Sequence, residues 1–307
     1  MATAFGLSTF RLIVKRWLKT ALAIPGFFVR SRQPYLRVLF YHRVNPYPFN
    51  DLGPVSRELT VRPDVFEAQL KRLSRLGFRS ASVAEFCRMM TLKQPFDPKA
   101  LLISFDDGYE DNLLWAAPLL RKYGFSALIF VVSDFLGKST AEVWPDSDPA
   151  QYGKFLDAGQ IRELKKSGIE FGSHTVSHPL LTTLPRAQQH QELETSKSKI
   201  GQLIGASVDA IAYPGGEFDL VTQECAVDAG YRLGFTTVPG VNRPGMSLTA
   251  LRRTEVSASD SLLVFDAKMA GALDWLFFKE NRALRQWIRR FNDLLIPLAK
   301  GRGGRDG

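Results

Sequence analysis

Cysteine is nearly missing from this chain of 307 residues. The two present, Cys87 and Cys225, fall in segments that read as helices, so neither a disulfide framework nor a thiolate zinc site is expected. Histidine is scarce too, at four, which makes any pairing of histidines informative. Near the N-terminus a long hydrophobic run is missing. The apolar stretch from Thr20 to Val29 is broken by Pro25 and Gly26 and is too short to span a bilayer. It resembles the core of a signal peptide more than an anchor, but no small-residue cleavage site comes before Arg30 and Arg32, so a cleaved signal is not favoured. There is no repeat of 20 to 50 residues and no low-complexity linker, although Gly301 to Gly307 reads as a frayed tail.

Acid is missing from residues 1–37, which carry seven Lys/Arg, and residues 279–307 carry eight against three acids. The two ends thus hold +12 of a total of +9, and the body between them is slightly acidic, at about −3. An enzyme of nucleic acids would carry its basic surface beside its active site, so no nucleic-acid partner is expected. Phe10, Ile13, Trp17 and Ala21 recur at helical spacing, with Arg11, Lys15 and Lys19 on another face, which fits a basic amphipathic helix. The run Leu284, Trp287, Ile288, Phe291, Leu294 and Leu295 opposite Arg282, Arg285, Arg289 and Arg290 is a second such pattern. Packing on the body, or peripheral membrane contact by one or both ends, would account for these faces. A peripheral membrane or cytoplasmic location follows as the favoured expectation, with export to the periplasm or cell surface as the other.

With 45% hydrophobic and 23% charged residues, the chain can bury one large core. From Leu36 onward, short β-rich runs alternate with helical ones, the mark of parallel strands joined by crossover helices. Seven strands are expected: Leu36 to Tyr41, Leu101 to Phe105, Ala127 to Val132, Ile169 to Gly172, Ala210 to Tyr213, Leu233 to Thr237, and Leu251 to Val256. Helices are expected between most of them, including Asp64 to Leu76, Asn112 to Tyr123, Gln160 to Lys166, Arg186 to Ile204 and Asp219 to Ala229. Several end at a glycine, namely Gly77, Gly124, Gly168 and Gly230. The division is a basic N-terminal segment over 1–35, a catalytic domain over 36–271, and a C-terminal helix and tail over 272–307.

The residues with chemical potential sit where strands end. Leu101 to Phe105 runs into Asp106-Asp107-Gly108, and Ile169 to Ser173 runs into His174-Thr175-Val176-Ser177-His178. In a parallel barrel all strands open on one face, so these distant segments can converge. Two imidazoles four residues apart share a side if the backbone makes a helical turn, and a carboxylate from another strand completes a three-ligand site with open positions. Zinc suits this divalent-metal set, and iron, cobalt or nickel would also accept it. Of two adjacent acids, one can ligate while the other accepts a proton from water.

These motifs resemble the polysaccharide deacetylases of carbohydrate esterase family 4, the chitooligosaccharide deacetylase homology domain. Ser104-Phe105-Asp106-Asp107-Gly108 is similar to the first motif of that family and His174-Thr175-Val176-Ser177-His178 to the second. The resemblance covers roughly Leu36 to Gly271. It implies a distorted seven-stranded (β/α) barrel, a metal held by Asp107, His174 and His178, and Asp106 as general base. Ala210 to Gly216 resembles the third motif, which makes the Gly215 amide an oxyanion donor. The usual arginine of that motif is missing at Ala212, and Arg252 or Arg253 on the last strand is placed to supply a guanidinium instead; Arg253 is carried into the site. No histidine follows Ala250, so the late histidine of the family is missing as well. The strand Val38-Leu39-Phe40-Tyr41 before His42 resembles the exopolysaccharide subgroup, of the poly-N-acetylglucosamine type, in which an N-terminal histidine takes that role. His42 is the candidate acid, and Tyr109, Trp144 and Tyr213 are candidate surfaces for sugar. The function that follows is metal-dependent removal of N-acetyl groups from a glycan. The two departures also allow a catalytically impaired carbohydrate-binding protein, and the basic ends a membrane-surface scaffold.

Overall fold

A computed structural model of the chain describes residues 14–21, 35–91, 97–145, 148–149 and 151–275. Ten strands lie within them: β1 (Arg37–Tyr41), β2 (Arg43–Val44), β3 (Thr60–Val61), β4 (Arg79–Ser80), β5 (Ala100–Phe105), β6 (Leu128–Val131), β7 (Glu170–Ser173), β8 (Ala210–Ala212), β9 (Leu233–Phe235) and β10 (Thr254–Glu255). Every pairing is parallel, in the order β10-β1-β5-β6-β7-β8-β9. These seven are the seven strands that the sequence predicts. Leu251 bridges back to Phe235 while Thr254 and Glu255 pair with β1, so one segment draws the two edges of the curled sheet together. The short β4 joins the start of β5, and β2 and β3 form a small separate pair; none of these three was expected.

Parallel strands covered on both sides read as continuous apolar runs, and β1, β5 and β6 are buried at every position. Their alternation divides the core. Val38, Leu102, Phe130, Ala210, Ala212 and Phe235 fill the interior of the sheet, whereas Leu39, Tyr41, Leu101, Ile103 and Ile211 face the helices. Gly172 completes the inner packing, because a Cβ there would lie 2.6 Å from the ring of Phe130 and 3.0 Å from the Ala210 carbonyl.

The helix Pro63–Arg75 buries Phe66, Leu70 and Leu73, a stripe at helical spacing, and Pro63 occupies its first turn. Arg186–Ile204 has the predicted bounds, and Ala158–Lys166 and Leu220–Asp228 lie within two residues of theirs. The predicted helix from Asn112 opens with a π turn, Asn112–Ala116, before Ala117–Lys122. Gly77, Gly124, Gly168 and Gly230 all take the left-handed conformation expected after a helix end. Cys87 lies in the helix Val83–Thr91, as its segment predicts, and three further helices appear at Pro54–Leu59, Thr140–Val143 and Leu262–Met269. Cys87 and Cys225 are free and buried.

Residues 14–21 are helical, but the orientation is inverted relative to a core-packing helix. Lys15 binds Glu58 at 2.6 Å and Lys19 binds Asp260 at 2.7 Å, while Trp17 is 72% exposed. Phe10, Ile13, Arg11, the run 282–295 and Gly301 to Gly307 lie outside the described residues. Among the described residues no helix is long and apolar enough to cross a membrane.

Gly172→Ala tests the inner packing. The added methyl overlaps a ring with no room to move, so the variant is expected to lose about 1–3 kcal/mol in urea unfolding; an unchanged midpoint would contradict the packing described.

Candidate functional site

Asp106 and Asp107 continue directly from β5, and the Asp106 amide still donates to the Tyr41 carbonyl at 3.0 Å, as the sheet's last rung. The chain then reverses through two left-handed residues, Asp107 and Gly108, with φ of 69° and 74°. Gly108 is required here, since a Cβ would sit 2.8 Å from Cγ1 of Val131 on the neighbouring strand. A left-handed aspartate is costly for a non-glycine residue, and the surrounding bonds hold it there.

The segment 174–178 makes no helical turn, contrary to the condition that the sequence reading placed on the two imidazoles. Thr175 and His178 are left-handed, with φ of 70° and 63°. The Thr175 hydroxyl donates to the His174 carbonyl at 2.5 Å and accepts from the His178 amide at 3.1 Å. From the helix Arg186–Ile204, Glu192 accepts the amides of Val176 and Ser177 at 2.8 and 3.0 Å and the Ser177 hydroxyl at 2.8 Å. Glu192 is a supporting residue that the sequence did not reveal, because nothing distinguishes it there from an exposed helical glutamate.

Asp107 Oδ1 lies 3.4 Å from His174 Nε2 and 3.5 Å from His178 Nε2, and one ligand atom from each of the three lies within 4.8 Å of the others. Ligands about 2.1 Å from a tetrahedral zinc ion stand about 3.4 Å apart, so this donor set fits a divalent cation. His174 Nδ1 is 2.7 Å from the Ala212 carbonyl. A carbonyl only accepts, so Nδ1 carries a proton, and Nε2, which faces Asp107, is the atom free to ligate once it gives up its own.

Asp106 is 3% exposed and receives both guanidinium arms of Arg253, Nη1 to Oδ1 at 2.6 Å and Nη2 to Oδ2 at 2.8 Å. Arg253 is fully buried, donates from Nε to the Thr236 carbonyl at 2.8 Å, and lies over Phe40 at 4.2 Å. Of the two arginines considered, Arg253 meets the acid. Arg252 instead lies against Gly240, where its Cδ comes within 3.0 Å of an added Cβ.

Burial alone would raise the Asp106 carboxyl, but Arg253, followed by His174, more than offsets it and holds the group below its ordinary range. Asp107 is likewise held low, with burial opposed by its bond to His174 and the charge of His178. Burial, reinforced by His174, lowers His178 to about 4. His174 goes the other way: burial lowers it, and the two acids more than compensate.

These groups line a cavity of about 430 Å³ together with His42, Tyr109, Trp144 and Gly215. Gly215 is left-handed at φ 62°, and a side chain there would meet Leu180 at 2.9 Å. His42 makes an edge contact with Phe40. Trp144 stands edge-on to His178 at 5.8 Å, and Tyr109 is stacked on Phe155. Tyr213 does not join them. It is fully buried, its ring stacks on Phe218 and its hydroxyl donates to the Thr249 carbonyl at 2.9 Å, so it offers no surface to a sugar. Val55, Ser56, Leu59, Thr140, Gly216 and Thr237 complete the lining without having been anticipated.

Cation binding must expel the proton that the acids draw onto His174. Affinity for Zn²⁺ measured by calorimetry is therefore expected to weaken by about tenfold or more from about pH 7.5 to about pH 5.5, with proton release on binding. A pH-independent affinity would contradict the ligand set.

Comparison with known proteins agrees with this geometry. The family model described as Polysaccharide deacetylase matches residues 93–234. YxkH of Bacillus subtilis (strain 168), named as a candidate polysaccharide deacetylase, is 30% identical over 241 residues, 78% of each chain. Among solved structures, the Streptococcus pyogenes deacetylase PplD in complex with acetate has 26% identity and a TM-score of 0.66, over 77% of this chain and 99% of that one. IcaB from Ammonifex degensii shares the fold at 24% identity and a TM-score of 0.63, over 79% of this chain and 97% of the other. The strand order, the acids and imidazoles at the strand ends and these relatives lead to one assignment: the chain belongs to the polysaccharide deacetylase family.

Proposed function

We propose that this chain is a metal-dependent hydrolase that removes N-acetyl groups from the sugar units of a polysaccharide or oligosaccharide. One observation carries the reading: Asp107, His174 and His178 group their ligand atoms in one cavity with Asp106, whose two oxygens are gripped from behind by Arg253. The complex of PplD with acetate is consistent with an acetyl-sized site in such a fold.

Asp107, His174 and His178 would hold a divalent cation, which when bound would supply Lewis-acid polarisation of the acetyl carbonyl and acidify water; zinc suits two imidazoles and a carboxylate, with iron, cobalt or nickel as alternatives. Asp106 accepts the proton of the attacking water. Arg253 fixes the direction of that carboxylate and keeps it ionised. The Gly215 amide, on the cavity wall, donates to the oxygen of the acetyl group as it gains negative charge. His42 gives a proton to the sugar nitrogen as the carbon–nitrogen bond breaks, leaving acetate and a free amino sugar. The position of His42 in the cavity, with no histidine after Ala250, supports a substrate of the exopolysaccharide type.

Acetate release from N-acetylglucosamine oligomers is the test. Activity is expected to vanish with chelator and return with metal. Asp106→Asn is expected to lower kcat about 10³-fold with metal retained, and Arg253→Met about 10²-fold or more with little change in KM. Full turnover by Asp106→Asn, or by the metal-free protein, would refute the mechanism.

A further inference from the structure

Part of the cavity wall is built by three chain segments, and although Tyr109 bridges to Phe155 across two of them, one buried cation reaches all three. Arg43, the residue after His42, is 1% exposed. Its Nε donates to Asp111 Oδ2 at 2.7 Å, Nη1 to Ser56 Oγ at 3.1 Å and to Asp148 Oδ2, and Nη2 to the Tyr152 carbonyl. Its face lies 4.6 Å from the centre of the Tyr109 ring. Asp148, itself buried, also accepts from the Gly53 amide at 2.6 Å and the Ser56 hydroxyl at 2.5 Å. The Thr140 hydroxyl reaches the Asp148 carbonyl at 3.4 Å, and the Trp144 amide donates to the Thr140 carbonyl at 2.6 Å.

The segments tied together in this way carry Val55, Leu59, Tyr109 and Trp144 into the cavity. Val55, Leu59 and Trp144 are apolar and aromatic surfaces of the kind on which the C–H faces of sugar rings rest, whereas Tyr109, 3% exposed beside Arg43 and Phe155, braces them; none of the four reaches a reacting atom in the mechanism above. Loops hold such surfaces in register only when something rigid joins them. A planar guanidinium with donors committed to three loops is such a joint.

Resting on the deacetylase reading, we propose that Arg43 is a positioning residue that sets preference for an extended N-acetylated glycan, by fixing the wall that receives the sugar units flanking the acetylated one. Removing it alone leaves Asp111 and Asp148 as buried, uncompensated anions, so Arg43→Met could fail to fold for that reason. The variant Arg43→Met with Asp111→Asn and Asp148→Asn removes the charge and the joint together.

The experiment compares the wild type with both variants on the N-acetylglucosamine tetramer and on para-nitrophenyl acetate, a substrate with no flanking sugar units. In the charge-neutral variant KM for the tetramer is expected to rise about tenfold or more, and its calorimetric affinity to fall in step. Turnover of the small ester is expected to stay within about threefold, and hydrogen exchange to quicken at 53–59 and 148–152 but not at 174–178. Wild-type KM and affinity in the neutral variant would mean that Arg43 only balances charge, and a parallel loss on both substrates would mean that it acts on the catalytic centre; either overturns the proposal. A wild type that binds the tetramer without releasing acetate would sink the deacetylase reading, and the affinity comparison would still decide the role of Arg43.

Discussion

Parallel pairing across seven strands is the constraint from which the site follows. With every strand running the same way, β5 and β7 deliver their carboxyl ends to one face, although Asp107 and His174 are 67 residues apart in sequence. The converging groups then need precise aim, which comes from backbone that ordinary side chains avoid. Asp107, Thr175 and His178 are the three non-glycine residues with positive φ among those described, and two of the three carry candidate ligand atoms. Strain gathered at a ligand cluster, and held by the Thr175 hydroxyl and Glu192, marks a site organised for function rather than for stability.

Arg253 shows how the same electrostatic task can be met from another strand. A buried carboxylate without a partner would take up a proton and lose its use as a base. In this chain the guanidinium comes from the segment that closes the sheet between β9 and β10, and its bidentate grip leaves Asp106 ionised despite near-complete burial. Breaking such a pair costs about 3–5 kcal/mol because the remaining charge stays buried, so the pair also binds the closing segment to the end of β5. On the proposed reading this arginine stands in for the one missing at Ala212, one of the two grounds for an impaired carbohydrate-binding protein.

Much of this was legible in the sequence for identifiable reasons. Strands buried on both faces read as unbroken apolar runs, and glycines after the helices marked their ends. The helical segment expected around Cys87 is Val83–Thr91, which buries Val83, Phe86, Cys87, Met89 and Met90 on one face and exposes Ala84, Arg88 and Thr91 on the other. Tyr213 is withheld from the site by strand alternation: Ala210 and Ala212 point inward, so Ile211 and Tyr213 face the helices. The N-terminal pattern gave a helix but not which face would meet the body, and it is the lysines that do. Arg43 could not be read at all, since its acidic partners lie 68 and 105 residues away and nothing local marks them as a pair.

The central claim is that one cation is held by two imidazoles and one carboxylate. X-ray absorption on the zinc-loaded protein tests it directly. The account predicts a first shell of nitrogen and oxygen atoms at about 2.0–2.1 Å, with the outer-shell scattering of two imidazole rings, and the loss of one ring's contribution in His178→Ala. A shell with no imidazole scattering, or one unchanged in that variant, would contradict it.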